Sequence, residues 1–126
     1  MPIRYTIDHE ARFVHARAEG PTSLQDVEAL LDAIVVQDAL SYRKLFDASD
    51  AIAEYKEHDI MTLGARASVY AKLARRGALA IVPRKNVHPE LALRFLNLAR
   101  YEGAARIFQS ADDGLKWLES LPEDES

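Results

Sequence analysis

The chain has 126 residues, a net charge of −4 and no cysteine. Its length predicts one domain at 1–121, followed by a frayed acidic tail at 122–126. The absence of thiols excludes disulfides, thiolate metal sites and a cysteine nucleophile, and the acidic balance argues against a nucleic-acid partner. No apolar run is long enough for a membrane span or a signal peptide, so we expect a cytoplasmic protein.

Two segments near the start alternate polar and apolar residues, which predicts strands at Arg4–Asp8 and Arg12–Ala18. Only three residues separate them, too few for a parallel crossover, so we expect an antiparallel hairpin. Gly20 and Pro21 then predict the end of this part of the sheet.

A wide apolar stripe predicts the first helix, from overlapping capping boxes at Thr22 and Ser23 to about residue 38. A short strand is expected at Lys44–Ala48. It runs into a polar turn and an irregular segment that lasts to His58.

The second helix is predicted to start near Asp59, whose carboxylate can cap it. Arg75 and Arg76 suit the negative end of the helix dipole, and Gly77 suits the position just after the helix. The apolar run 78–83 predicts a buried, central strand.

The third helix is predicted to have His88 at its cap and to end before Gly103. A last strand at 104–109 leads to Ser110, the expected cap of a helix that ends at Leu121. The elements predict an α/β fold of order β-β-α-β-α-β-α-β-α. It contains a mixed sheet of about five strands with an N-terminal hairpin, covered by four helices.

Three segments in this order resemble a STAS domain, the fold of the anti-sigma-factor antagonist SpoIIAA. They are the strand end at 45–49, the helix end and strand at 74–82, and the closing unit at 102–118. The chain is also similar to small SpoIIAA-like bacterial proteins, often of unassigned function, whose plan is shared with lipid-carrying CRAL-TRIO domains. The resemblance implies a regulatory or ligand-binding domain.

SpoIIAA-type antagonists carry a phosphorylated serine at the start of the helix after this strand, and the counterpart here is the segment 59–64. Met61 occupies the phosphoacceptor position and cannot be phosphorylated. The resemblance therefore does not imply that this chain is regulated by phosphorylation in the same way. Thr62, one residue along, can accept a phosphate near a helix N-terminus, although a threonine in a first turn is also an ordinary helix residue.

Ligands approach open α/β sheets at the carboxyl ends of their parallel strands. The candidate ligand or partner surface at that edge consists of Asp47, Ser49, Asp59, Thr62, Arg84, Lys85, His88 and Ser110. Arg84, Lys85 and the following helix N-terminus can hold an anion or an acidic partner. The alternative is structural: the two cations solubilise a turn, and Asp47 ties down the loop that follows it.

Nothing in the chain marks a catalytic residue, a cofactor loop or a metal site, because no glycine-rich or nucleophile motif occurs and the four histidines are far apart. We therefore predict a non-enzymatic, STAS-like regulatory or protein-interaction module. The alternative is a carrier of a small apolar molecule or lipid, with aromatic side chains that line a pocket instead of filling the core. A homodimer is compatible with the exposed edge of the first strand, although the charges there can equally block pairing.

Overall fold

The computed structural model of the chain describes residues 2–54, 56–70, 72, 75–84, 90–99 and 104–122. The strands are β1 (Ile3–Asp8), β2 (Phe13–Thr22), β3 (Arg43–Ala53), β4 (Leu79–Val82) and β5 (Ala105–Ile107). The helices are α1 (Leu24–Val36), α2 (Glu57–Tyr70), α3 (Glu90–Ala99) and α4 (Ala111–Ser120). This confirms the predicted α/β class and the order of its elements. The third helix's predicted cap, His88, and its predicted end before Gly103 lie outside the described residues.

The five strands form one mixed sheet in the spatial order β1-β2-β3-β4-β5. β1 and β2 pair antiparallel as the predicted hairpin, and every later neighbour is parallel. All four residues of β4 are buried, as expected for a strand flanked on both sides, although the middle position belongs to β3. A helix between each pair of parallel strands makes this arrangement possible.

One face of the sheet is covered by α1. Its start is set by Ser23, whose Oγ accepts a hydrogen bond from the Asp26 N–H at 3.3 Å while an Asp26 oxygen accepts from the Ser23 N–H at 2.9 Å. We call the buried residues beneath it the α1 cluster: Ile3, Val14, Ala16, Ala18, Leu30, Ile34, Ala39, Leu40, Tyr42 and Tyr70. The apolar residues that alternate along β1 and β2 form the part of this cluster that belongs to the sheet.

The opposite face is covered only over its second half, by α4. We call its buried residues the α4 cluster: Leu45, Ala78, Ala80, Val82 and Leu118, with Phe13, Phe108, Leu115 and Trp117 packed against them. On the β1–β2 half of this face the side chains are exposed and mostly charged, namely Arg4, Thr6, Asp8, His15, Arg17 and Glu19. Such residues need no covering layer.

Two strands are longer than predicted. β2 continues through Gly20 and Pro21 to Thr22, and β3 continues to Ala53, so the predictions of a sheet end at Gly20 and of an irregular segment up to His58 were wrong. Past the point where β1 stops, β2 has a single neighbour, and a proline is tolerated in such an edge position.

The end of α2 also differs from the prediction. The helix ends at Tyr70, and neither Arg75 nor Arg76 is helical. Arg76 nevertheless reaches the helix end, because its guanidinium donates to the carbonyl of Ala67 at 3.1 Å. Gly77 is not a helix terminator; it lies against the chain before β3, where a Cβ would be 2.2 Å from the carbonyl oxygen of Tyr42.

At the amino ends of the parallel strands, buried or half-buried cations donate hydrogen bonds to backbone carbonyls of the neighbouring segments. The ammonium of Lys44, which is 7% exposed, donates to the carbonyls of Leu40 at 2.5 Å and Tyr42 at 2.7 Å. Burial and the nearby Arg76 cation lower the pKa of Lys44 to about 7. Arg43 ties α4 to this end, since its guanidinium donates to the carbonyl at the end of that helix. We call this region the amino end.

Candidate functional site at the carboxyl end of the sheet

At the other end of the sheet, β2 and β3 extend beyond their neighbours. The pairing of β3 with β4 stops where Asp47 lies opposite Val82, whereas its pairing with β2 continues to Ala53. A two-stranded ribbon, residues 18–22 and 48–53, therefore projects past the ends of β4 and β5. The ribbon and the strand ends beside it form the carboxyl end.

A β-bulge marks the start of the ribbon. The register passes from Arg17 opposite Asp47 to Glu19 opposite Asp50, so β3 holds one more residue than β2 between these two pairs. In the bulge, Ala48 and Ser49 of β3 face the single residue Ala18 of β2. A bulge of this kind re-aims the side chains that follow it.

Asp47 anchors the bulge. Its carboxylate is 7% exposed, and Oδ1 accepts hydrogen bonds from the Ser49 N–H at 3.0 Å and from the Ser49 hydroxyl at 2.6 Å. The carboxylate therefore replaces the acceptor that the regular ladder would have offered to this amide. This is the geometry of the structural role considered for Asp47 in the sequence.

Three of the predicted strand ends meet at this edge. Phe108 donates its N–H to the carbonyl of Ile81 at 2.9 Å, which aligns the ends of β4 and β5 with Asp47. Arg84 follows two residues after the end of β4, and Ser110 follows three residues after the end of β5, so both lie past the same edge. Arg84 is exposed, and Ser110 caps α4 as predicted, with its Oγ accepting from the Asp113 N–H at 3.2 Å. Lys85 and His88 lie outside the described residues.

The first turn of α2 follows three residues after β3 and brings Asp59 and Thr62 to this end of the molecule. Helix α2 begins at Glu57, two residues before the predicted start, and Asp59 lies inside its first turn. From there its Oδ2 accepts from the Lys56 N–H at 2.9 Å, so the carboxylate does cap the helix. The Thr62 hydroxyl is exposed and donates to the carbonyl of His58 at 3.0 Å.

Sequence reasoning missed the exposed residues of the ribbon because the segment was predicted to be irregular. Ile52 is 47% exposed, and beside it Arg17 forms ion pairs with Asp50 at 2.5 Å and Glu19 at 3.2 Å. The hydrogen bond with Asp50 raises the pKa of Arg17. The signal available in the sequence was the apolar stretch around Ile52, which fits a strand better than a polar loop.

The candidate hydroxyls at this end take part in hydrogen bonds within the fold. The two hydroxyls of Ser49 and Ser110 bond to a carboxylate and to an amide, and no histidine is among their partners. No group of three histidine or acidic side chains in the described residues could hold a metal ion. Likewise, none of the described helices is long and apolar enough to cross a membrane.

Comparisons with known proteins identify the fold. No family model and no curated protein matches the chain. Among solved structures, it is similar to an anti-sigma factor antagonist from Mycobacterium paratuberculosis, with 20% identity over 94% of this chain and 95% of that one and a TM-score of 0.55. It is also similar to an uncharacterised protein of the DUF3478 family with a SpoIIAA-like fold from Shewanella loihica, with 18% identity over 92% and 93% of the two chains and a TM-score of 0.56.

Proposed function

Because the chain has a SpoIIAA-like, STAS-type fold, we propose that it is a non-enzymatic regulatory module that acts by binding a protein partner through the carboxyl end of its sheet. One similar structure is an anti-sigma factor antagonist, a name that describes action on another protein. The proposal extends that mode of action to this chain.

The observation that carries the proposal is the exposure of two apolar side chains at the carboxyl end, on two different elements. Ile52 on the ribbon is 47% exposed, and Met61 in the first half of α2 is 54% exposed. The charged ribbon residues and Arg84 lie around the same end. Exposed apolar side chains with charged residues nearby are typical of protein-binding surfaces, and methionine is enriched in them.

Thr62 belongs to the same proposal as a site of control. Its hydroxyl is exposed beside Met61, and a phosphate there would place about two negative charges next to that apolar side chain. We expect such a charge to oppose the docking of an apolar partner surface.

The test is capture of partners from cells of the organism that encodes the chain, using tagged wild type and the variants Ile52→Glu and Met61→Glu. Val36→Glu is the matched control, because Val36 is 83% exposed on the last turn of α1, at the amino end. We expect the wild type and the control to retain the same specific protein, and the two test variants to lose at least about tenfold of it.

Equal recovery by all four proteins, or no specific partner, would overturn the proposal. Native mass spectrometry of the freshly purified chain supplies a second check. A retained apolar mass would favour the carrier function instead.

A further inference from the structure

Strand β1 has a neighbour on only one side within the described part of the chain. The Glu19 N–H donates to the carbonyl of Pro2 at 2.8 Å, and antiparallel bonding alternates along a strand. The even-numbered residues of β1 therefore bond to β2. The backbone groups of Ile3, Tyr5 and Ile7 point to the open edge.

Of the usual protections against pairing, this edge has charged side chains but neither a proline nor a bulge. β1 contains no proline and no lysine, and its register with β2 runs from Ile3 to Asp8 without a bulge. Tyr5, in the middle of the strand, is 40% exposed. A regular edge of this kind is a template for another strand.

The charged side chains of β1, Arg4 and Asp8, form no ion pair within the described residues. Arg4 lies directly opposite Arg17 on β2, and like charges in such a pair repel. Arg17 has its own partners in Glu19 and Asp50, and Asp8 accepts a hydrogen bond from the Ala11 N–H at 2.9 Å. Arg4 and Asp8 are both exposed on the uncovered face of the sheet.

We propose that two copies of this chain pair through β1, antiparallel and about a twofold axis at Thr6. In this register Arg4 of each copy lies opposite Asp8 of the other, on the uncovered face. Tyr5 lies opposite Ile7 of the second copy, and each such pair exchanges two backbone hydrogen bonds, in agreement with the outward direction of these groups. Two five-stranded sheets become one continuous sheet.

The charge pattern selects this register. An axis at Tyr5 would place Arg4 opposite Thr6 and Asp8 opposite Pro2. An axis at Arg4 would bring two like charges together. The axis at Thr6 is the symmetric arrangement that pairs both charged residues of β1 with an opposite charge.

The interface is small, so the dimer is expected to be weak. A six-residue edge buries less than a standard protein interface, which corresponds to dissociation constants of about micromolar or weaker. Because β2 lies between β1 and β3, the second copy adds beside β1 and not beside Ile52 on β3. Success or failure of this proposal is thus separate from that of the proposed function.

The test is sedimentation velocity of the full chain from about 1 µM to 1 mM, with the variants Arg4→Asp and Asp8→Arg. Each single substitution gives β1 one sign of charge, and the twofold axis then opposes like charges twice. We expect each variant alone to dimerise at least about tenfold more weakly than the wild type. An equimolar mixture of the two should form a heterodimer, because their strands are complementary to each other.

The mixture distinguishes a lost interface from a lost fold, since an unfolded variant cannot restore the dimer. The double variant Arg4→Asp/Asp8→Arg should also dimerise like the wild type. A monomer at every concentration, or a dimer indifferent to both single substitutions, would overturn the proposal. Met61→Glu should leave the wild-type equilibrium unchanged.

Discussion

The two ends of the sheet both bury an ionisable residue of β3, yet they treat it differently. At the amino end, Lys44 donates to the carbonyls of Leu40 and Tyr42, and its pKa falls to about 7. At the carboxyl end, Asp47 accepts from the amide and hydroxyl of Ser49 only two residues away. Both contacts are local in sequence, but the Leu40 carbonyl also accepts from the distant Gly77 N–H, whereas the contact of Asp47 shapes a single strand.

This difference suggests that the amino end mainly stabilises the fold, whereas the carboxyl end is available to bind a partner. The amino end is crossed by backbone contacts between distant segments, such as the Gly77 N–H donating to the carbonyl of Leu40 at 2.8 Å. At the carboxyl end, the ribbon is held by the pairing of its own two strands and by the Arg17–Asp50 ion pair, and Ile52 and Met61 are exposed. Substitutions at the amino end should therefore affect stability most, and substitutions at the carboxyl end should affect binding most.

The largest expected effect is that of Gly77→Ala at the amino end. The new Cβ would lie 2.2 Å from the carbonyl oxygen of Tyr42 and 2.4 Å from that of Ser41, and these backbone atoms cannot move aside cheaply. We expect the free energy of unfolding to fall by about 3 kcal/mol or more in urea titration. Gly20→Ala on the ribbon is the control: its φ is +70° but it has open space, so a loss of only about 1 to 2 kcal/mol is expected. Equal losses would remove the contrast between the ends.

The next effect is a pH dependence due to Lys44. Between about pH 7 and pH 9 the unfolded chain keeps this lysine protonated while the folded chain releases its proton, so the stability of the wild type rises with pH. The rise attributable to Lys44 is about 2 to 3 kcal/mol over this range. Lys44→Met should remove it in urea titrations across the range, whereas Lys116→Met, at an exposed position, should retain it. A Lys44→Met slope equal to that of the wild type would contradict the assignment.

At the carboxyl end, Asp47→Ala should have a smaller effect on stability. It leaves the Ser49 N–H in the bulge without its acceptor, at a cost of about 1 to 3 kcal/mol. Asp50→Ala removes an exposed carboxylate paired with Arg17 and should cost less than about 1 kcal/mol. Thermal or urea unfolding measures both. A larger loss for Asp50→Ala would mean that the ion pair, and not the bulge anchor, holds the ribbon.

The smallest expected effect is that of Ser110→Ala, which removes the cap of α4. The lost hydrogen bond to the Asp113 N–H should lower the free energy of unfolding by about 1 kcal/mol. Ser110→Asp keeps a capping oxygen and should be nearly neutral. If partner capture fails for the aspartate variant while stability is retained, Ser110 belongs to the binding surface as well as to the cap.

Much of the fold could be predicted from local patterns. The alternation of β1 and β2, the capping pairs at Ser23 and Ser110, and the apolar run of β4 all produced the elements that the structure contains. These signals involve neighbours in sequence, and nothing in the tertiary structure opposes them.

The predictions that were wrong concern segments whose conformation depends on contacts between residues far apart in sequence. Gly20 and Pro21 are turn residues by local preference, but pairing with β3 holds them in a strand. Gly77 resembles a helix terminator, but the reason for it is the backbone of Tyr42, which is far away in sequence. The positions of candidate residues at one edge were predictable from the topology, whereas the ribbon and its exposed Ile52 depended on a register that no short window contains.

The bulge has a consequence for how the surface of this protein is encoded. With the spare residue accommodated, Ala51 packs against the α1 cluster and Ile52 lies on the uncovered side. If the same sequence paired in regular register after Asp47, the phase would invert: Asp50 and Ile52 would turn inward and Ala51 outward. The outward surface is thus fixed by a count of residues between Asp47 and Asp50 as much as by their identities. A redesign that keeps every side chain but removes the bulge would turn the residues of this outward surface inward.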